Sequence, residues 1–104
     1  MNLQKSMRHE SKKLRDSARG SECQIRIPGI CKGNNETVVL CHLNGGGAGT
    51  KHSDLFASYG CDLCHSAVDG RIKTQYSKDE LDLMLLQGMV RTQQIFLDEG
   101  LVKI

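Results

Sequence analysis

The stretch TVVLCHLNGGGAGTKHSDLFASYGCDLCHSAVDG, residues 37–70, decides the fold. Its first seven residues, Thr37 to Leu43, are rich in β-branched and apolar side chains and read as the best strand of the chain. A glycine-rich connector, Asn44 to Gly49, follows, and Leu55 to Tyr59 reads as a second, short strand. Cys64 to about Arg71 then reads as a short helix, so the centre of the chain is strand, loop, strand, helix.

Outward from this core, Leu3 to Ala18 reads as a helix with a thin stripe of Leu3, Met7, Leu14 and Ala18, stopped by Gly20. Glu22 to Gly33 reads as a turn-rich loop punctuated by Pro28-Gly29. A longer helix starts near Ser77, where Ser77 and Glu80 have the spacing of a capping box. It puts Leu81, Met84, Leu85, Met89, Thr92, Ile95 and Phe96 on one face and ends at Gly100. The expected architecture is α+β, a single domain over residues 1–104: a basic helical arm (1–20), a metal-binding core (21–71) and a C-terminal helix (77–100).

Of the 104 residues only 38% are hydrophobic, Trp is absent, and there are two Tyr and two Phe. So small a core calls for a staple, and the five cysteines offer one. Cys61-Asp-Leu-Cys64 has the C-x₂-C spacing that lets two thiolates reach one tetrahedral ion. Cys23 and Cys31 form a second, wider pair that the Pro28-Gly29 turn can fold back. Together they suit a closed Cys₄ structural zinc site, worth on the order of 10 kcal/mol to a weak core. The alternatives are four buried reduced thiols, or a redox dithiol at Cys61 and Cys64. Cys41, mid-strand, reads as a small buried hydrophobe.

No stretch near the N-terminus has the apolar core of a signal peptide, and no run approaches a membrane span. The expected setting is therefore cytoplasmic, where clustered cysteines more often bind metal than form disulfides. Net charge is only +2, but Lys5, Arg8, Lys12, Lys13, Arg15 and Arg19 face only Glu10 and Asp16 within residues 1–20. Such an arm suits a polyanion, and equally suits a solvated helix face.

His65 and Asp69 are four residues apart, so on a helix both can reach one divalent cation from one face. His42 ends the strong strand, where its imidazole can take a proton from water near neutral pH. Asp54, before the second strand, can hold the other ring nitrogen. A strand-end histidine is otherwise a polar surface residue, and a His/Asp pair at this spacing an ordinary helix ion pair; the joint order favours chemistry. His9 and His52 read as surface residues. The glycine loop lacks the Gly-Lys-Ser/Thr element of a phosphate-binding loop, since the order here is Gly49-Thr50-Lys51.

A cysteine pair, a strand ending in histidine, a glycine-containing loop, a polar residue and finally Cys-x₂-Cys-His resembles the HNH (ββα-metal) nuclease superfamily in its zinc-binding form. Arg19-Gly20, Glu22-Cys-Gln-Ile-Arg-Ile-Pro-Gly29, Cys64-His65 with Asp69, and Gly88-Met89 with Arg91-Thr-Gln93 are similar to the small prophage-encoded nucleases typified by YbcO. The resemblance implies a metal-dependent endonuclease acting on DNA, with His42 as general base and Asp54 in place of an orienting asparagine. It further implies His65 as a ligand of a catalytic Mg, Mn, Ni or Zn ion, and Asp69 where some members carry a second metal-binding histidine. Cys23, Cys31, Cys61 and Cys64 match its zinc knuckles, while Cys41 stands where the family often has an Asp or His ligand. The rival reading is a non-catalytic zinc ribbon that binds nucleic acid or a phage recombination or replication protein; a third is an RNA-directed nuclease.

Overall fold

A computed structural model describes residues 8–43 and 52–104. Helix α1 spans Lys12–Ala18, strands β1 and β2 span Val39–His42 and Ala57–Gly60, helix α2 spans Asp62–Val68 and helix α3 spans Lys78–Asp98. A 3₁₀ turn, Asn35–Thr37, leads into β1. The result is a small α+β arrangement of three helices about one antiparallel hairpin.

The hairpin register pairs Val39 with Gly60, Leu40 with Tyr59, Cys41 with Ser58 and His42 with Ala57. Strand β2 is buried along its whole length because both of its edges are occupied. The Tyr59 N–H donates to Thr92 Oγ1 of α3 at 3.0 Å, and the Tyr59 carbonyl accepts from the Gln24 N–H at 2.8 Å. Arg91 of α3 in turn donates to the Gln24 carbonyl. Gly88 permits this approach: a Cβ there would meet Ser58 Oγ at 2.5 Å and the Gln24 carbonyl oxygen at 3.0 Å. Helix α3 begins with the capping box read from Ser77 and Glu80, and buries Leu81, Leu85, Gly88, Thr92 and Phe96. Phe96 meets Tyr59 edge-on at 5.7 Å, and the Tyr59 hydroxyl pairs with Ser17 of α1 at 2.7 Å. The core therefore runs from α1 through the hairpin to α3.

The N-terminal helix is shorter than its apolar stripe suggested. Ser11 caps α1 by accepting the Leu14 N–H, and residues 8–11 are non-helical. They instead run beside residues 52–54: the His9 N–H donates to Ser53 Oγ at 2.7 Å, the Asp54 N–H to the His9 carbonyl at 2.9 Å, and Arg8 to the His52 carbonyl at 3.2 Å. These tertiary bonds and the Ser11 cap outweigh helix continuation. Leu3, Met7, Lys5 and the glycine loop lie outside the described residues. Helix α2 starts two residues before the expected position, because Cys61 serves as its N-cap and Asp62 sits favourably in the first turn. Among the described residues no helix is long and apolar enough to cross a membrane.

Candidate active site and metal centre

Two separate constellations stand on this frame. In the first, the sulfurs of Cys23, Cys31, Cys61 and Cys64 all lie within 4.8 Å of one another. The Ile27 carbonyl accepts the N–H groups of both Ile30 and Cys31, at 3.1 and 2.9 Å, and Gly29 turns the chain at φ +79°. This tight turn brings Cys31 back beside Cys23. Cys61 and Cys64 come from the N-cap and first turn of α2.

The donor set fits a tetrahedral ion such as zinc. Zinc bonded to sulfur at about 2.3 Å sets its sulfurs about 3.8 Å apart, and Cys31 and Cys61 are separated by 3.9 Å. All five cysteines are free thiols. A hydrogen bond from Cys64, against the cost of burial, and N–H groups of Arg26, Cys61 and Ile25 pull the Cys23 thiol down to about 4. The same bond with Cys23 pushes Cys64 up, helped by burial. Arg26 adopts a left-handed backbone, φ 56°, as its N–H is aimed at the Cys23 sulfur, a conformation uncommon for a non-glycine residue. Backbone donors converging on a thiolate are what a metal-binding sulfur needs around it. Cys41 takes no part: it is fully buried, and burial pushes its thiol well up.

The second constellation centres on Asp54, which is 0% exposed. Its Oδ1 lies 2.6 Å from His42 Nε2, and its Oδ2 accepts the Ser11 N–H at 2.6 Å and an Arg15 N–H at 3.1 Å. Arg8 stands 3.8 Å from Oδ1. Burial opposes ionisation of Asp54, but the Ser11 N–H, His42 and Arg15 together outweigh it and hold the carboxyl below its ordinary value. His42 is thus held at the end of β1, where it lines the cleft between β1 and α1. That cleft, about 390 Å³, is lined by Lys12, Arg15, Asp16, Arg19, Val39, Leu40 and His42.

His65 and Asp69 face one another along α2, Nε2 to Oδ2 at 3.1 Å, and Arg71 also binds Asp69 Oδ2 at 2.6 Å. Asp69 lines a cavity of about 380 Å³ with Leu43, the residue after His42. Among the described residues, only the four cysteines bring three or more such ligand atoms within 4.8 Å of one another. His42 with Asp54 and His65 with Asp69 thus each stand as a pair, with no third such ligand atom within that distance of both among the described residues. His9 and His52 are exposed, as expected, with His52 edge-on to Phe56 at 6.2 Å.

Sequence reasoning missed the roles of Arg8, Ser11 and Arg15. The charge count marks both arginines, but only for a polyanion or a solvated helix face; nothing local signals that a carboxylate about forty positions away claims them.

The family model described as "Putative nuclease YbcO" matches residues 12–101, a span containing every residue of both constellations except the Arg8 and Ser11 contacts to Asp54. The chain belongs to the YbcO family. Curated relatives named "Putative nuclease YbcO", from Escherichia coli (strain K12), and "Putative nuclease ybcO", from Enterobacteria phage 82, are each 47% identical to it. Each alignment covers 86% of this chain and 96% of the relative. A solved structure described as that of a "putative bacteriophage protein" from Escherichia coli str. K-12 substr. MG1655 matches with a TM-score of 0.71 and 42% identity. It covers 85% of this chain and 100% of the other. This YbcO-family chain thus resembles phage-associated proteins over most of its length.

Proposed function

We propose that this protein is a metal-dependent endonuclease of the HNH (ββα-metal) type that hydrolyses phosphodiester bonds in DNA. The observation that carries this reading is the buried carboxylate of Asp54 fixing His42 at the wall of a cationic cleft. The order β1, β2, α2 and the nuclease name of the relatives support it.

With its Nε2–H donated to Asp54, neutral His42 keeps the lone pair of Nδ1 for the attacking water. Proton transfer from that water to Nδ1 leaves an imidazolium that Asp54 stabilises, as an orienting carboxylate does in other acid–base pairs. His65 and Asp69 would hold the catalytic cation, their donor atoms being near enough to turn toward one ion if Asp69 gives up part of its bond to Arg71. Bound there, a divalent cation such as Mg, Mn, Ni or Zn would supply positive charge to the phosphate and leaving oxygen. The Cys₄ site holds zinc in a structural role, closed to substrate.

The engagement of Asp69 by Arg71, which leaves His65 and Asp69 a thin cation site, favours a second reading, a zinc module that binds nucleic acid or a phage recombination or replication protein without cutting. A plasmid-nicking assay decides between them. Cleavage abolished by EDTA and restored by Mg²⁺, Mn²⁺ or Ni²⁺, with the Cys₄ zinc retained, supports the nuclease; DNA binding without cleavage in any of these ions supports the second reading.

A further inference from the structure

Resting on the nuclease reading, we propose that the cleft between α1 and β1 is a subsite for a backbone phosphate of the substrate strand. In it Arg15 is shared between Asp54 beneath and the phosphate above. Three cations, Lys12, Arg15 and Arg19, line this cleft beside His42, against one carboxylate, Asp16. Lys12 and Asp16 neutralise one another at 2.5 Å, one helical turn apart. The Arg19 N–H caps α1 by donating to the Asp16 carbonyl. Its guanidinium has no hydrogen bond or ion pair among the described residues and acts on Asp16 only through its charge, so its donors remain for a ligand. The Arg15 side chain is 44% exposed although its Nη1 binds buried Asp54 at 3.1 Å and lies 3.9 Å from Glu10. A guanidinium has five N–H donors in a planar fork, so binding one carboxylate oxygen leaves donors facing the cleft.

The geometry gives Arg15 two consequences. A phosphate it holds is brought to the wall that His42 lines, where the water to be deprotonated must sit. The same side chain clamps Oδ2 of the carboxylate whose Oδ1 orients His42. Arg15 is therefore a positioning residue as well as a phosphate ligand, and α1 is part of the active site. Arg19 contributes charge alone.

The test uses the full-length, zinc-loaded protein and a fluorescein-labelled 20-base-pair DNA duplex, with binding read by anisotropy in the presence of Ca²⁺ across a salt series. Arg19→Gln, at an exposed position, should leave melting unchanged, weaken binding about 3–10-fold, and reduce the salt slope by about one, as loss of one phosphate contact does. Lys103→Gln, near the C-terminus, should do neither. Arg15→Gln should weaken binding similarly and also lower kcat for nicking by about tenfold or more, while Arg15→Lys restores binding but only part of kcat, since an ammonium lacks the fork. Unchanged affinity and salt slope in both Arg19→Gln and folded Arg15→Gln would overturn the subsite. Weakened binding in these variants, with no nicking by wild type in any divalent ion, would keep the phosphate site and remove the nuclease reading beneath it.

Discussion

Asp54 Oδ1 sits 2.6 Å from His42 Nε2, and the carboxylate that carries it is wholly buried. A buried charge is tolerated only when it is well partnered. Here the partners are His42, the Ser11 N–H and Arg15, the last two supplied by the N-cap and the body of α1. One side chain thereby ties the N-terminal helix to the hairpin and fixes the ring of the proposed base.

Asp54→Asn should expose this tie as a pH effect. The native carboxyl titrates below its ordinary value, so its stabilisation is fully present above the unfolded value, near pH 4. It fades as pH falls from there through the lower folded value. The variant should melt lower at pH 7, by on the order of 1–3 kcal/mol, and show a shallower loss of stability below about pH 4. Melting curves from pH 7 to pH 2.5 provide the comparison; parallel acid limbs would mean that Asp54 is not the group responsible.

The cysteine quartet makes a prediction about composition. Elemental analysis of protein purified without added metal should find about one zinc per chain, and Cys61→Ser should lose both the metal and most of the native circular dichroism. Metal-free protein with unchanged melting would remove zinc from the account of the fold.

Gly88→Ala should destabilise the protein by about 1–3 kcal/mol, the usual cost of overpacking. The added methyl would meet both Ser58 Oγ and the Gln24 backbone, and the latter cannot rotate away. Helix propensity alone predicts the opposite sign, since alanine favours a helix by about 1 kcal/mol over glycine. Chemical denaturation distinguishes the two.

What could be read without coordinates was what is encoded locally. Ser77 and Glu80 announce the start of α3 because a capping box is complete within four consecutive residues. Pro28-Gly29 announces the turn that returns Cys31 to Cys23, and the C-x₂-C spacing announces the other half of that site. The two-strand core followed by a helix was legible too, from β-branched content and periodicity. The N-terminal helix was overdrawn because the Leu3, Met7, Leu14 and Ala18 stripe carries no information about Ser53 and Asp54, whose bonds to His9 and Ser11 hold residues 8–11 out of the helix. The partners of Asp54 were illegible for the same reason. Sequence order brought His42 and Asp54 under suspicion, but Arg15 reaches Asp54 only after the chain has folded across 39 positions.

The same contrast between local and tertiary information separates fold from chemistry in the variants. His65→Ala removes one donor of the proposed cation pair and should alter the dependence of nicking on added divalent ion, leaving zinc content unchanged. A nicking rate with the same ion dependence as wild type would take His65 out of the site.

The most direct measurement is the rate of plasmid nicking by His42→Ala, compared with wild type at matched zinc content and at a temperature where both are folded. His42 ends β1 with its side chain mostly buried. The alanine variant leaves Asp54 one partner short and should melt lower, but Ser11 and Arg15 still hold the carboxylate, and the folded variant should bind DNA. Its cleavage rate should fall by roughly 10²–10⁴-fold, the usual contribution of a general base. Wild-type cleavage by folded, zinc-loaded His42→Ala would contradict the account, because no proton acceptor assigned to the water would remain.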